Sequence, residues 1–406
     1  MADRFNAIGI DDFPGDPARD FRPCSRAFHS VGGDDYEDFE PPYGDLEDRE
    51  DYEAWLDSMA KHTSEQRCYP IGPALKKTRI GSSYKRDLIN EFSWSVTRDK
   101  RFQNCHREYY YCYYGSWGGW DRMADPEIRE LYIMKNLRTR PMWVGIVVHE
   151  FAERIVKARG REPADRIMKT LRERMEADWQ TSAGGRFRSN PKHIVGLAEH
   201  YYGLPLTSDD FEADFHKAEQ CIRTLYKSRA FRKIVRNPSV QILECEQLSS
   251  VEISGIKVWV KVDVAIQNGS EGIEIVDWKT GMNSEPGATR TQLAVYALYA
   301  SARWHISVDD IVVREVCLSE RYEIVHQVDD NLLCKTADHI IRSAERMKGL
   351  LINEEQNVAF ERDFAMTADQ HRCHRCNFRR ACGRGDNNPT QEELKNVCDI
   401  PNQSPF

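Results

Sequence analysis

The spacing of apolar residues divides the chain into a helical first part and a strand-rich second part. The segment MWVGIVVHEFAERIVKA repeats its apolar positions at helical spacing, and charged helix-forming sequence continues between about residues 160 and 236. TQLAVYALYASARW predicts a later helix between the third and fourth of four predicted strands. These β-branched runs are SVQILECEQ, IKVWVKVDVAI, IEIVDWKT and DIVVREVCL. This order indicates an α/β fold with a mixed sheet flanked by helices and a helical insertion over about 160–236.

Charge is segregated along the chain and suggests where the globular part begins. The 406 residues carry a net charge of −8, but residues 1–57 alone hold 17 Asp and Glu against 5 Arg, a balance of −12. The other 349 residues therefore carry +4, a mildly basic balance that suits a phosphate-binding surface. We predict an acidic, largely disordered leader over 1–85, one domain over 86–385 and a C-terminal tail over 386–406.

The sequence argues against several classes of protein. It contains no apolar run of about 18 residues and no signal-peptide pattern at its start, which predicts a cytoplasmic protein without a membrane partner. It contains no GxxxxGK[ST] phosphate loop, so nothing predicts a built-in ATP motor. Twelve cysteines without an export signal indicate reduced thiols or metal ligands rather than a disulfide framework.

The segment IKVWVKVDVAIQNGSEGIEIVDWKTG predicts a β-hairpin that brings acidic side chains together. Asp263 and Asp277 lie at equal distances from Ser270, and the turn-forming residues NGSEG surround that point. If the hairpin closes there, the two aspartates face each other with Cβ atoms about 5 Å apart. Lys279 points to the same face as Asp277, because side chains alternate along a strand.

Two carboxylates at this separation require a cation between them. Their repulsion reaches up to about 4 kcal/mol at an effective dielectric constant of about 20. Lys279 supplies part of the positive charge, and converging carboxylate oxygens are the ligands that Mg²⁺ or Mn²⁺ requires. The pattern therefore predicts metal-assisted phosphodiester hydrolysis, in which Lys279 orients a water molecule or neutralises developing charge. The alternative for either aspartate alone is a solvated turn residue or an ordinary ion pair.

These segments resemble the PD-(D/E)xK nucleases of the RecB and AddB type, which include the CRISPR-associated RecB-like exonucleases. VDV, IVDWKTG and TQLAVYALYA are similar to the family's strand aspartate, DxK strand and QxxxY helix, and GIVVHEFAE is similar to its upstream histidine motif. The resemblance implies a restriction-endonuclease-like core. It assigns His149, Asp263, Asp277 and the Trp278 backbone carbonyl to the metal, Lys279 to catalysis with the two aspartates, and Gln292 and Tyr296 to DNA placement. Glu246 is as compatible with an ordinary strand face as with a position near the metal.

A cysteine cluster near the C terminus predicts a second metal centre. HRCHRCNFRRACGRG places Cys373, Cys376 and Cys382 in a C-x2-C-x5-C spacing, and the flanking basic residues are expected to lower the pKa values of the thiols. By the resemblance, FSWSVTRDKRFQNCHREYYY supplies Cys105 as a fourth ligand, and the group is a [4Fe–4S] cluster that staples the domain's start to its end. Zinc is the competing metal, because four thiolates also suit Zn²⁺. Cys112 is the competing fourth ligand.

Two further groups of residues each have two interpretations. The aromatic run that follows Arg107 is equally compatible with base stacking beside a basic groove and with packing in the core. The arginines around the cysteine cluster fit phosphate contacts or a solvated basic face.

The residues and the resemblance together predict a metal-dependent DNA nuclease with Mg²⁺ or Mn²⁺ and an iron–sulfur cluster. Relatives of the RecB and AddB type carry helicase modules, and none is recognisable in this sequence. We therefore expect an exonuclease on DNA ends or single strands in DNA repair, recombination or defence, acting alone or with a separate helicase, recombination or defence partner. The alternative is a non-catalytic DNA-binding or assembly subunit that keeps the nuclease fold.

Overall fold

The computed structural model describes residues 28–29, 90–269, 272–281 and 286–384, and of residues 286–289 it describes only the helical backbone. The predicted disorder of the leader lies outside the described residues, apart from residues 28–29, and so does the predicted tail. None of the helices in these ranges has both the length and the hydropathy needed to cross a membrane.

Helices form most of the described chain before residue 237. In chain order the helices of the described chain are α1 (Val96–Asn104), α2 (His106–Tyr110), α3 (Pro126–Asn136), α4 (Arg140–Lys157), α5 (Ala164–Ala183), α6 (Ala198–Tyr201), α7 (Ser208–Lys227), α8 (Arg229–Arg236), α9 (Pro286–Trp304), α10 (Asp330–Lys348) and α11 (Gln370–Arg375). A π-helical turn, Tyr111–Gly115, continues α2. The predicted amphipathic helix is α4, and the segment 160–236 contains α5 to α8.

Strands dominate the chain after α8. They are β1 (Phe28–His29), β2 (Val240–Cys245), β3 (Leu248–Ile253), β4 (Ile256–Lys261), β5 (Val264–Asn268), β6 (Ile273–Lys279), β7 (Ile311–Cys317), β8 (Tyr322–His326), β9 (Leu351–Asn353) and β10 (Val358–Ala359). The five-stranded sheet has the order β2–β5–β6–β7–β8, with β6 and β7 parallel and the other neighbours antiparallel. A second sheet has the order β1–β3–β4, and β9 pairs with β10.

This mixed sheet with helices around it confirms the predicted α/β architecture of the restriction-endonuclease-like type. The prediction of one continuous strand through IKVWVKVDVAI is wrong. The chain changes sheets at Val262–Asp263, because β4 ends at Lys261 and β5 begins at Val264. At this point the backbone N–H of Glu246 donates to the carbonyls of both Val262 and Asp263, each at 3.1 Å. These two carbonyls therefore bond to Glu246 rather than to a neighbouring strand.

The central strand β6 is covered on both faces, which explains its continuous apolar pattern. All seven of its residues are buried. Val276 and Trp278 belong to a core shared with α4 and α7, whereas Ile275 belongs to a core shared with α9. Asp277 and Lys279 alternate with Val276 and Trp278, so their side chains point toward the α9 face.

A buried carboxylate joins three elements on the other face of the sheet. Glu274 of β6 is 6% exposed and forms ion pairs with Lys233 Nζ of α8 at 2.8 Å and Arg314 Nε of β7 at 2.6 Å. Burial alone would raise the pKa of Glu274, but the two cations outweigh it and lower the pKa. Replacing Glu274 with Gln is expected to lower the free energy of unfolding at pH 7 by about 3 kcal/mol, because two cations lose their counter-charge.

This contribution depends on pH in a defined direction. Because the folded-state pKa of Glu274 is lowered, the stabilisation is present above its unfolded pKa of about 4.3 and is lost as the pH falls through the folded pKa. Chemical denaturation of wild type and Glu274→Gln should therefore give different stabilities at neutral pH that converge in acid. Glu173→Gln, which removes an exposed pair with Lys169, is the control and should change stability by less than about 1 kcal/mol. Equal stabilities of wild type and Glu274→Gln at neutral pH would contradict the prediction.

Candidate active site

The β5–β6 hairpin has the predicted register. Val264 pairs with Val276 and Ala265 with Ile275, so the same register continued by one residue sets Asp263 opposite Asp277. The Asp263 side chain crosses to β6, where its Oδ2 accepts the backbone N–H of Trp278 at 2.6 Å. The turn chemistry and the alternation of the strands therefore bring the two predicted aspartates together.

The predicted lysine lies beside the second aspartate and is held from two sides. Lys279 Nζ is 2.8 Å from Asp277 Oδ2 and donates to Gln292 Oε1 of α9 at 2.8 Å. Gln292 Nε2 donates in turn to the hydroxyl of Tyr296, one turn later on the same helix, at 2.7 Å. The ammonium of Lys279 is thus fixed by a carboxylate and an amide oxygen, and the Gln292–Tyr296 contact fixes which way the amide faces.

A compact group of three possible metal donors lies at the end of the same hairpin. His149 of α4 places its Nδ1 2.8 Å from Glu246 Oε1 and 3.4 Å from Asp263 Oδ1. Among the described residues, the donor atoms of His149, Glu246 and Asp263 lie within 4.8 Å of one another. One imidazole nitrogen and two carboxylates are a donor set that could hold a divalent metal ion.

Glu246 is the member of this group that the sequence left undecided. It follows β2 directly and adopts a φ of 56°, in the left-handed region that a residue with a side chain rarely enters. The two backbone hydrogen bonds to Val262 and Asp263 hold it there, and Lys261 Nζ contacts its Oε2 at 2.8 Å. This conformation takes Glu246 out of the strand and points its carboxylate at His149. Nothing in the sequence around it signals a positive φ.

The charges in this group shift one another's titration. Burial alone would lower the pKa of His149, but the carboxylates of Asp263 and Glu246 outweigh it and raise the pKa to about 10. Burial, together with Glu246 and Asp277, raises the pKa of Asp263 to about 6. Burial alone would also lower the pKa of Lys279, but Asp277 and Asp263 raise it. The positively charged forms of His149 and Lys279 are therefore favoured beside these carboxylates.

The structure brings the predicted site residues into one region. His149 and Asp263 meet directly, Asp277 and Lys279 meet directly, and Asp277 is close enough to raise the pKa of Asp263. The backbone of Trp278 is tied to Asp263 through its N–H. Metal binding by its carbonyl stays a prediction, as do the catalytic and metal-binding roles of the others.

Four cysteines from the two ends of the domain come together. Cys105 lies between α1 and α2, Cys373 lies in α11, Cys376 follows α11, and Cys382 lies in the turn after it. The Cys376 thiol interacts electrostatically with Cys382 and Cys105, and the Cys382 thiol interacts with Cys105 and Cys373. The four thiols are therefore close enough to influence one another's titration, and metal binding by them stays a prediction.

One expectation about these thiols is wrong. Burial raises the pKa of Cys382 to about 11 and the pKa of Cys376 well above its ordinary value, whereas the flanking basic residues were expected to lower both. The rival ligand Cys112 is 2% exposed, and its Sγ accepts a hydrogen bond from Arg101 Nη1 at 2.9 Å. Cys105, and not Cys112, acts on the titration of Cys376 and Cys382, and the assignment of the fourth ligand stays a prediction.

The aromatic run after Arg107 is part of the core. Each of its rings is at most 9% exposed: Tyr109, Tyr110, Tyr111, Tyr113, Tyr114 and Trp117. Phe364 and Phe378, from the segment that leads into and through the cysteines, pack on this run. Arg379 is also 5% exposed, with its guanidinium over the ring of Tyr202. Core packing, not base stacking, therefore explains these aromatic residues.

The fold is of the restriction-endonuclease-like type, and it contains a buried group of three residues that could hold a metal ion. The family model described as the PD-(D/E)XK nuclease superfamily matches residues 93–383. The chain therefore belongs to the PD-(D/E)XK nuclease superfamily, whose members are generally nucleases that use divalent metals. No curated protein matches the chain.

Proposed function

We propose that this protein is a Mg²⁺- or Mn²⁺-dependent deoxyribonuclease of the RecB and AddB type that hydrolyses phosphodiester bonds. The observation that carries the proposal is the junction of the His149–Glu246–Asp263 group with the Asp277–Lys279 pair at one end of the β5–β6 hairpin. A metal-binding group alone is compatible with many functions. A buried lysine fixed beside it is the additional element that phosphodiester hydrolysis uses.

The proposed division of labour follows from the contacts. His149, Asp263 and Asp277, with Glu246 and the Trp278 carbonyl, would hold the divalent ion, and the bound ion would supply Lewis-acid chemistry at the phosphate and a more acidic water molecule. Lys279 Nζ forms an ion pair with Asp277 and donates a hydrogen bond to Gln292 Oε1. The ammonium, held in this position, would orient the attacking water or neutralise charge that develops on the phosphate.

Gln292 and Tyr296 have a positioning role in this scheme. Tyr296 is buried and its hydroxyl accepts from Gln292, which leaves the Gln292 carbonyl oxygen directed at Lys279. The pair therefore sets the direction of the catalytic ammonium and places the DNA strand beside it.

We further propose that Cys105, Cys373, Cys376 and Cys382 hold a [4Fe–4S] cluster. The resemblance to the RecB and AddB type nucleases and the interaction of the four thiols with one another support this proposal. Zinc is the competing metal, because four thiolates also suit Zn²⁺. The cluster would have a structural role, because hydrolysis requires no electron transfer.

The proposed substrate is DNA with a free end or a single-stranded region, and the proposed mode of cutting is exonucleolytic. A separate helicase, recombination or defence protein would supply the unwinding that this chain's own residues do not provide. DNA repair, recombination or defence are the processes that use such an activity.

The test is a digestion panel with anaerobically purified protein. Labelled single-stranded, double-stranded, linear and circular DNA is incubated with Mg²⁺, with Mn²⁺ or with a chelator. We expect metal-dependent degradation that requires an end or a single strand and that stops when the metal is removed. Degradation of closed circles at the same rate would contradict the exonuclease proposal. Absence of degradation for every substrate would leave the non-catalytic DNA-binding alternative, and degradation that persists in the chelator would contradict the proposed metal dependence.

A further inference from the structure

A group of cations surrounds one tyrosine ring on the side of the domain that carries α1 and α3. The guanidinium carbons of Arg98 and Arg101 lie 4.2 Å and 5.7 Å from the centroid of the Tyr113 ring, and Lys135 Nζ lies 5.9 Å from it. Arg101 also donates to the Tyr113 hydroxyl at 2.9 Å. Arg138 stands next to this group, because Arg101 and Arg138 interact electrostatically.

Arg138 lacks a counter-charge within the described part of the chain. Arg101 has a carboxylate partner, Glu108, at 3.2 Å, whereas no described carboxylate pairs with Arg138. Burial and the neighbouring Arg101 both lower the pKa of Arg138, and of the described groups only Cys112 opposes them. A half-buried arginine beside a second arginine is unfavourable unless an anion completes the group.

The backbone holds Arg138 in place. Its N–H donates to the Gly196 carbonyl at 2.9 Å, and its carbonyl accepts the N–H of Ala198 at 2.8 Å. These two bonds fix Arg138 immediately before α4, the helix that carries His149. The first residue of α4, Arg140, precedes His149 by nine residues, which corresponds to roughly 14 Å along the helix axis. Arg138, two residues before this helix, is therefore within a few nucleotides of the proposed metal.

We infer that Arg138, together with Arg101 and Lys135, binds the phosphate backbone of the nucleic-acid strand that leads to the metal centre. The inference rests on the proposed function, because that function supplies a polyanion at this distance. Guanidinium groups match phosphate oxygens in two parallel hydrogen bonds, and a phosphate is the anion that recurs along such a strand. Bases are not the ligand, because the Tyr113 ring is 9% exposed and covered by cations.

The experiment measures binding without cleavage. A fluorescent single-stranded oligonucleotide is titrated with the anaerobically purified full chain in a chelator, at several salt concentrations. Lys135→Gln/Arg138→Gln is compared with wild type and with the matched control Arg166→Gln/Lys169→Gln, which removes one Arg and one Lys from the exposed surface of α5. Arg138→Lys keeps the charge, and melting curves check that every variant is folded.

The expected result is a loss of affinity that carries the signature of lost phosphate contacts. Lys135→Gln/Arg138→Gln should weaken binding roughly tenfold and reduce the slope of log K against log salt by about 1.4, since each contact to a single strand contributes about 0.7. Arg138→Lys and the α5 control should keep the wild-type slope. An unchanged slope in Lys135→Gln/Arg138→Gln, or an equal loss in the α5 control, would overturn the inference. Wild-type protein that binds but does not cut DNA would instead overturn the proposed nuclease function alone.

Discussion

Lys279→Ala is expected to lower the rate of DNA cleavage by roughly 10³-fold or more while the protein still binds Mn²⁺. Lys279 contacts Asp277 and Gln292, but it is not one of the three donors that meet at His149. Removing its charge therefore takes away the group that acts on the water or the phosphate and leaves the His149–Glu246–Asp263 group in place. Loss of the neighbouring positive charge should, if anything, tighten metal binding.

Asp263→Asn is the complementary change, because it should abolish both cleavage and tight Mn²⁺ binding. Single-turnover cleavage and a Mn²⁺ titration by electron paramagnetic resonance separate the two effects. Lys257→Ala is a matched lysine control on β4, where the side chain lies over the ring of Trp259 at 4.6 Å from its centroid. Wild-type cleavage by Lys279→Ala, or undisturbed Mn²⁺ binding by Asp263→Asn, would remove the basis of the assigned roles.

Cys105→Ser is expected to cause the second large effect, loss of the bound iron together with a marked fall in the melting temperature. Cys105 and the C-terminal cysteines are separated by nearly 270 residues, so a shared cluster closes a very long loop. In the chain-entropy model, a cross-link across even about 100 residues contributes about 4.7 kcal/mol. A thiol lost from the cluster also leaves buried partners whose pKa values are already raised.

Three serine variants make this prediction selective. Cys105→Ser should lose iron and acid-labile sulfide in anaerobic preparations, whereas Cys112→Ser and Cys334→Ser should keep them, since Cys112 contacts Arg101 and Cys334 lies in α10. Metal content, visible absorbance and melting temperature are measured on the same samples. Iron loss from Cys112→Ser but not from Cys105→Ser would reverse the ligand assignment. A colourless wild-type protein with stoichiometric zinc would end the iron–sulfur proposal.

The parts of the site that could be predicted depend on strand alternation and turn chemistry. Asp263 and Asp277 are related by a short turn, and Lys279 follows Asp277 with the period of a strand. These relations are local, so the sequence alone determines them once the hairpin is assumed. Gln292 and Tyr296 share a helical face for the same reason, and the structure joins them by a hydrogen bond.

The parts that could not be predicted depend on tertiary contacts. Glu246 joins His149 only because its backbone takes a positive φ, which two distant carbonyls stabilise. The strand through Asp263 breaks because the chain changes sheets there, although its apolar pattern continues without interruption. The pKa of Cys382 rises because packing buries the thiol. The arginines near Cys382 in the sequence do not predict that burial. Each of these outcomes is decided by residues far away in the chain.

The β3–β4 hairpin is inserted between two carboxylates of the metal-binding group. The hairpin begins two residues after Glu246, at Leu248, and ends two residues before Asp263, at Lys261. Its outer strand pairs with β1, and its inner strand exchanges two backbone hydrogen bonds with Trp94, at 2.8 Å each. We therefore expect a tilt of the hairpin to change the separation of the Glu246 and Asp263 carboxylates and, with it, the affinity of the proposed site for its metal ion.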